Sequence, residues 1–254
     1  MFSTKKAANL VRNYKLDDFH FFNVNKTIQT WEINDIESSV VRFRVFSQPI
    51  VRRFGQFEKK ARELLFRPHN IDDVDAFYDG LSREYRRNLA EEQIKFLTLQ
   101  VRKKNINLDE GELIFINMEP EVLSFLTVEV YELYQALFFA GANLVIEITE
   151  RNIERLDLRS VYRLFDLGVE FALDDFDLMG QYLDFSLLAN ECFRFIKIEL
   201  DMALQNKNTV SEIRESFGKE VIVERIEFQE SMLEVMTLHC DYLQGYLLAD
   251  PQLI

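Results

Sequence analysis

Glycine and proline are scarce in this chain, at 8 and 4 of 254 residues. Flexible linkers and low-complexity tracts lean on one or both, so neither is expected. The only two cysteines, Cys192 and Cys240, are far apart in sequence. They make no close ligand pair, which argues against a zinc-thiolate site, and they read as small buried hydrophobes in a reducing compartment. The three histidines, His20, His69 and His239, are too scattered to form an imidazole cluster. No segment approaches the roughly 20 apolar residues of a membrane span. The N-terminus, MFSTKKAANLVRNYKL, lacks the apolar stretch of a secretory signal. A soluble, cytoplasmic protein with no membrane partner is expected.

Basic charge is also in short supply. Lys and Arg number 30 against 43 Asp and Glu, for a formal net charge of −13. Nonspecific attraction to DNA or RNA polymers is therefore not the expected mode, and an anionic substrate would need metals or local arginines.

Apolar surface, by contrast, is plentiful: 48% of residues are hydrophobic, with 23 Phe and 9 Tyr. That suffices for a large core, and the length suits a single α/β barrel. Residues 1–39 are polar and mixed, and predict an N-terminal extension with a short helix. Residues 40–254 form the barrel domain. There, short runs rich in Val, Ile, Phe and Leu alternate with longer amphipathic stretches, the pattern of a parallel sheet with crossover helices. The predicted strands are Val41–Phe46, Arg62–Phe66, Leu113–Ile116, Leu144–Ile148, Val169–Leu173, Arg194–Ile198, Glu220–Val223 and Tyr242–Tyr246. Eight is the number that closes a small barrel. Helices are predicted over Glu91–Lys104, Val128–Gly141 and Arg159–Gly168, the last two ending in a C-cap glycine.

In or just after every apolar run stands a residue that hydrocarbon packing does not ask for. These are Gln48; Glu63 and Arg67; Asn117; Glu147 and Glu150; Asp174 and Asp175; Lys197 and Glu199; Glu224 and Glu227; and Gln244. In a β/α barrel the strand C-termini converge on one face, so these scattered positions would meet in a ring. Carboxylates crowded there would repel one another unless a cation sat among them. The donors are hard oxygens, which select Mg²⁺, Mn²⁺ or Ca²⁺. The adjacent pair Asp174-Asp175 suggests two ions, and a two-ion site suits phosphodiester hydrolysis. Taken alone, Asp174-Asp175 would be read as a turn or helix cap.

Taken in order, the segments SQPI, ELLFR, FIN, EITE, DDFD, KIE, ERIE and QGYLLADP, over about residues 40 to 251, resemble the EAL-domain family of bacterial cyclic di-GMP phosphodiesterases. The resemblance implies a modified TIM (β/α)8 barrel and hydrolysis of cyclic di-GMP to linear pGpG with Mg²⁺ or Mn²⁺. It implies that Glu63, Asn117, Glu147 and Asp174 hold one ion, and Asp174, Asp175 and Glu224 the second. Lys197 would orient or help deprotonate the attacking water. Glu224 and Gln244 complete the catalytic set, with Gln244 supporting the water and the metal cluster. Arg67 would contact substrate phosphate, with Gln48 beside it in substrate binding. Glu150 and Glu227 would anchor the loop after Asp175. A homodimer and a regulatory protein partner are the further partners implied.

The chain departs from the family pattern at five places, the mildest being ELL for the EAL signature at Leu64, which keeps the carboxylate. Asp177 stands for the glycine of DDFG, Glu199 for the aspartate of KID and Arg225 for the glycine of EGVE, while Gln252-Leu253-Ile254 stand where a closing helix usually follows. These departures support a second reading, a catalytically silent EAL-like module that binds cyclic di-GMP or a protein partner to regulate motility or adhesion. A third is another metal-dependent hydrolase on the same barrel.

Overall fold

Strands whose alternate residues are apolar on both faces can bury one face in a barrel interior and the other under helices. The computed structural model shows this arrangement and describes residues 30–34, 40–53, 61–69, 71–149, 152–178 and 185–254. The strands are β1 (Thr30–Asn34), β2 (Val40–Arg52), β3 (Ala61–Pro68), β4 (Leu113–Met118), β5 (Asn143–Thr149), β6 (Glu170–Asp174), β7 (Phe193–Glu199), β8 (Glu220–Glu224), β9 (Tyr242–Leu243) and β10 (Gln252–Leu253). Strands β2 to β9 pair in sequence order, and β9 returns to β2, closing a barrel of eight.

All eight predicted strands are present, with one correction to their direction. Strands β3 to β9 run parallel, but β2 is antiparallel to both its barrel neighbours. The cause is connection length. Strand β2 extends to Arg52, well past the predicted Phe46, and β3 opens at Ala61. Eight residues cannot carry a crossover back to a parallel start, so the chain turns as a hairpin. The N-terminal extension contributes a strand to the sheet, and its expected short helix lies outside the described residues. That strand, residues 30–34, adds to β2, antiparallel. The C-terminal segment also returns to β2 through β10, with Ile254 N–H donating to Val45 O at 3.1 Å.

The helices are α1 (Val74–Gly80), α2 (Arg83–Arg102), α3 (Pro120–Leu123), α4 (Thr127–Phe139), α5 (Leu158–Asp166), α6 (Phe185–Ala189), α7 (Leu200–Gln205), α8 (Lys207–Glu215) and α9 (Gln229–Val235). Helix α2 begins eight residues before the predicted Glu91. Ser82 caps it, accepting from the Tyr85 N–H at 3.3 Å, and Tyr85 and Leu89 extend its buried face. Gly168, at φ +101°, ends the α5 segment, and the following Val169 N–H returns to Leu164 O at 3.0 Å. That is the left-handed termination its sequence position predicts. Both cysteines are free and buried. Among the described residues, no helix is long and apolar enough to cross a membrane.

The interior holds two tiers. The lower one is apolar, made of Ile50, Ala61, Phe115, Val145, Ala172, Phe195, Ile222 and Tyr242, with Leu113 beneath Phe115. The outward side chains of the same strands, such as Leu144, Ile146 and Ile148, pack under the helices in the larger core. What lies two residues further along each strand decides the chemistry.

Candidate functional site

Side chains on a strand return to the same face every second residue. One step above each member of the apolar tier stands a polar residue: Glu63 above Ala61, Asn117 above Phe115, Glu147 above Val145 and Asp174 above Ala172. Lys197 stands above Phe195, Glu224 above Ile222 and Gln244 above Tyr242. On the antiparallel β2 the step runs backward, from Ile50 to Gln48, and Gln48 pairs across with Glu63. Every stave of the barrel thus contributes one polar group at one level. The expected ring exists, and it floors a cleft of about 1060 Å³.

Lys197 occupies the centre of this tier, 1% exposed. Its Nζ lies 2.6 Å from Glu147 Oε1, 2.9 Å from Glu224 Oε1, 3.1 Å from Asp174 Oδ1 and 3.4 Å from Glu63 Oε2. Burial works against its charge, but Asp174, Glu147, Glu224 and Glu63 outweigh it and hold the amine well above its usual range. It is an ammonium, which donates and does not accept a proton. Of the two roles implied for it, orientation fits this geometry.

The carboxylates divide by environment. Burial drives Glu147 well above the usual range, reinforced by the Glu63 charge and opposed by Lys197. Burial likewise raises Asp174, and it lifts Glu224 to about 8, each against the pull of Lys197. Glu63 goes the other way. Burial would raise it, but Lys197 and the hydrogen bonds from Gln244 Nε2 at 2.7 Å and Asn117 Nδ2 at 2.6 Å bring it below the usual value. Gln244 also donates to Gln48 Oε1 at 3.2 Å, and Gln48 donates to Ala249 O at 3.4 Å. Gln48 is buried and braces Gln244.

The fit to metal ions rests on three observations. Carboxylate oxygens of Asp174, Asp175 and Glu224 lie within 4.8 Å of one another. Glu147 Oε2 is buried with no hydrogen-bond donor among the described residues. Every donor in the group is a hard oxygen. Asp175 takes a left-handed φ of +51°, which aspartate tolerates better than most residues.

The remaining expected residues lie higher in the cleft. Arg67 and the exposed Glu227 line it, and Glu150 falls outside the described residues. Asp177 also lines the cleft but is not among the residues with positive φ, so no glycine-like backbone is demanded of it. Glu199 and Arg225, each a departure from the family pattern, meet one another: Arg225 Nη1 lies 2.9 Å from Glu199 Oε1. Their contact follows from register, because Glu199 pairs with Glu224 on the neighbouring strand. Reading along the sequence missed a second lobe of the cleft, lined by Tyr78, Arg86, Gln93 and Glu119. Only Glu119, one residue past β4, carried the signal of a polar residue after an apolar run.

Gly245 ties the loop after β9 to the loop after β8. Ile226 N–H donates to Gln244 O at 3.2 Å, and Leu247 N–H donates back to Ile226 O at 3.0 Å. A Cβ at residue 245 would stand inside contact distance of the Ile226 backbone O, N and C. Gly245→Ala should therefore lower stability by about 1–3 kcal/mol and loosen Gln244 from Glu63. A urea melt showing no change would mean that the backbones part easily.

An eight-stranded α/β barrel with a carboxylate-lined mouth is the class that fold and site together define. Residues 42–251 match the family model for the EAL domain, and the chain belongs to the EAL-domain family. Cyclic di-GMP phosphodiesterase RocR of Pseudomonas aeruginosa is 26% identical over 170 residues, covering 60% of this chain and 42% of RocR. The chain thus spans less than half the length of that curated relative. Klebsiella pneumoniae BlrP1, solved as a manganese and cyclic di-GMP complex, superposes with a TM-score of 0.66 at 23% identity, over 83% of this chain and 56% of that one. The PaMucR phosphodiesterase, a cyclic di-GMP complex, gives 0.64 at 18% identity over 83% and 97%. At these identities the likeness to both structures is one of fold.

Proposed function

We propose that this chain is a divalent-metal-dependent phosphodiesterase that hydrolyses cyclic di-GMP to linear pGpG, working in the cytoplasm. The observation that carries the reading is the carboxylate group Asp174, Asp175 and Glu224, two of whose members also meet the buried Lys197. With every acid ionised, the five carboxylates of Glu63, Glu147, Asp174, Asp175 and Glu224 against one ammonium leave four negative charges, which two divalent cations would neutralise. Glu63, Asn117, Glu147 and Asp174 would hold one Mg²⁺ or Mn²⁺, and Asp174, Asp175 and Glu224 the other. When bound, such ions supply Lewis acidity and an activated water.

The protein's own groups then position the reactants. Lys197 donates toward the oxygens around it and fixes the spacing of Asp174, Glu147 and Glu224. Gln244 holds Glu63 in place, with Gln48 behind it. Arg67 offers a cation to substrate phosphate from the cleft wall. Glu227, at the cleft, and Glu150 anchor the loop after Asp175. Residues 1–39 form an extension to a single barrel domain.

The test is incubation of the pure protein with cyclic di-GMP and Mn²⁺ or Mg²⁺, with pGpG resolved by chromatography and EDTA as control. The expected result is metal-dependent pGpG. The placement of Arg225 beside Glu224 favours the silent module as a second reading, and nucleotide retained without any pGpG would select it. Neither turnover nor binding would remove both.

A pH dependence follows from Glu224. Because its carboxyl is raised to about 8, it carries a proton below that pH, and a cation must displace the proton to bind. Affinity for Mn²⁺ should rise at least about tenfold per pH unit up to about 8 and less steeply above it, once Glu224 has lost its proton. Calorimetric titrations on either side of that pH check this, and a flat affinity would take Glu224 out of the ligand set.

A further inference from the structure

Arg225 carries a cost that a surface residue has no reason to bear. It sits at φ +56°, in the left-handed region that disfavours residues with a Cβ. Among the described residues its charge partner is Glu199 at 2.9 Å, and the Arg225 side chain is 66% exposed. An exposed ion pair contributes little to stability, too little to offset that backbone conformation. Strain retained at the edge of a site points to a use for the side chain.

The other cations of the cleft narrow that use. Among the described residues four line it: Arg67, Arg86, Lys197 and Arg225. Lys197 is enclosed by four carboxylates. Arg86 spends its guanidinium on Leu81 O, Glu119 and Asp79 O, at 3.1, 2.9 and 3.3 Å. Arg225 has five N–H donors, and the bond to Glu199 occupies few of them. That bond holds the guanidinium at the rim, next to Glu224 and just past the end of the strand that pairs with that of Glu199.

We propose that Arg225, held by Glu199, is a substrate-binding residue that meets an anionic oxygen of the dinucleotide beyond the phosphodiester being cleaved. This rests on the cyclic di-GMP reading above and extends it. With two divalent cations, the ring beneath is neutral, so the second phosphate of a cyclic dinucleotide needs a cation of its own. Arginine meets phosphate oxygens with paired, charge-assisted hydrogen bonds. Glu199 acts as a positioning residue, because its carboxylate reaches the substrate only through Arg225.

The experiment compares Arg225→Gly, Arg225→Lys and Glu199→Ala with the unaltered protein. Substrates are cyclic di-GMP and bis(p-nitrophenyl) phosphate, a diester with a single phosphate, and cyclic di-GMP binding is followed by calorimetry in Mn²⁺. Glycine is at ease at this φ, so Arg225→Gly removes the side chain while relaxing the backbone, and misfolding does not account for a loss. The expected result is an approximately tenfold weaker affinity for cyclic di-GMP and a KM raised more than kcat is lowered. The ratio of kcat/KM for cyclic di-GMP to that for the one-phosphate diester should fall about tenfold. Arg225→Lys should recover part of the loss, and Glu199→Ala should show a smaller one. Unchanged cyclic di-GMP affinity in Arg225→Gly, or an equal fall for both substrates, would overturn the inference while leaving the phosphodiesterase reading intact. An unaltered protein that neither binds nor cleaves cyclic di-GMP would overturn both.

Discussion

Asp174→Asn is expected to lower cyclic di-GMP hydrolysis by about a thousandfold at saturating Mn²⁺. Partners that only orient a metal ligand are worth about 10–100-fold, and Asp174 belongs to both proposed ion sites. The substitution keeps the size of the side chain and removes its charge. Lys197 retains Glu147, Glu224 and Glu63 within 3.4 Å, so the barrel should remain folded. Initial rates of pGpG formation, with a thermal melt on the same sample, separate lost chemistry from lost fold. A folded variant working within tenfold of the unaltered rate would mean that Asp174 is not a ligand.

Lys197→Met should have the largest effect on the fold itself. The ammonium is buried, and its removal leaves Glu63, Glu147, Asp174 and Glu224 to face one another without a cation. Removing one partner of a buried ion pair costs about 3–5 kcal/mol. Because the carboxylates hold Lys197 above its ordinary 10.5, its contribution is fully present below that pH and is lost only as pH climbs through the raised value. The deficit should be largest at about pH 9 in EDTA, above the raised Glu224 value of about 8 and below the raised Lys197 value. It should shrink as pH falls below about 8, where Glu224 and the other raised acids take up protons and no longer need the cation. Added Mg²⁺ should restore part of the stability at about pH 9. Urea melts at about pH 9 and about pH 6, with and without Mg²⁺, check this, and a variant as stable as the unaltered protein at about pH 9 in EDTA would contradict it.

The barrel and its polar ring were legible because each rests on a local rule. A residue such as Glu147 inside LVIEIT, or Lys197 inside FRFIKIE, breaks an apolar pattern at a spacing of two, and that break is visible without coordinates. The direction of β2 was less legible. Pro49 and the polar Ser47 and Gln48 interrupt its hydrophobic run, which hides how far the strand continues toward Ala61. The order of motifs points Gln48 toward the substrate, and its buried contacts to Gln244 and Ala249 become visible only when β2 and β9 close the barrel. The pairing of Glu199 with Arg225 was out of reach for a similar reason. They are 26 positions apart, and only the β7–β8 register makes them neighbours. Gly245 could be seen as a glycine in a motif, but the Ile226 backbone that requires it belongs to another loop.

The reciprocal backbone bonds between Ile226 and the Gln244–Leu247 turn have a practical meaning for anyone who recombines such barrels. The two loops are a single cassette with two separate addresses in the sequence. A chimera that imports residues 224–227 from a relative but keeps its own 244–247 inherits half of a splice. The mismatch would surface first at Gln244, at the end of the strand next to the exchanged residues, and in its grip on Glu63. Loop exchange in this chain should therefore move both segments together.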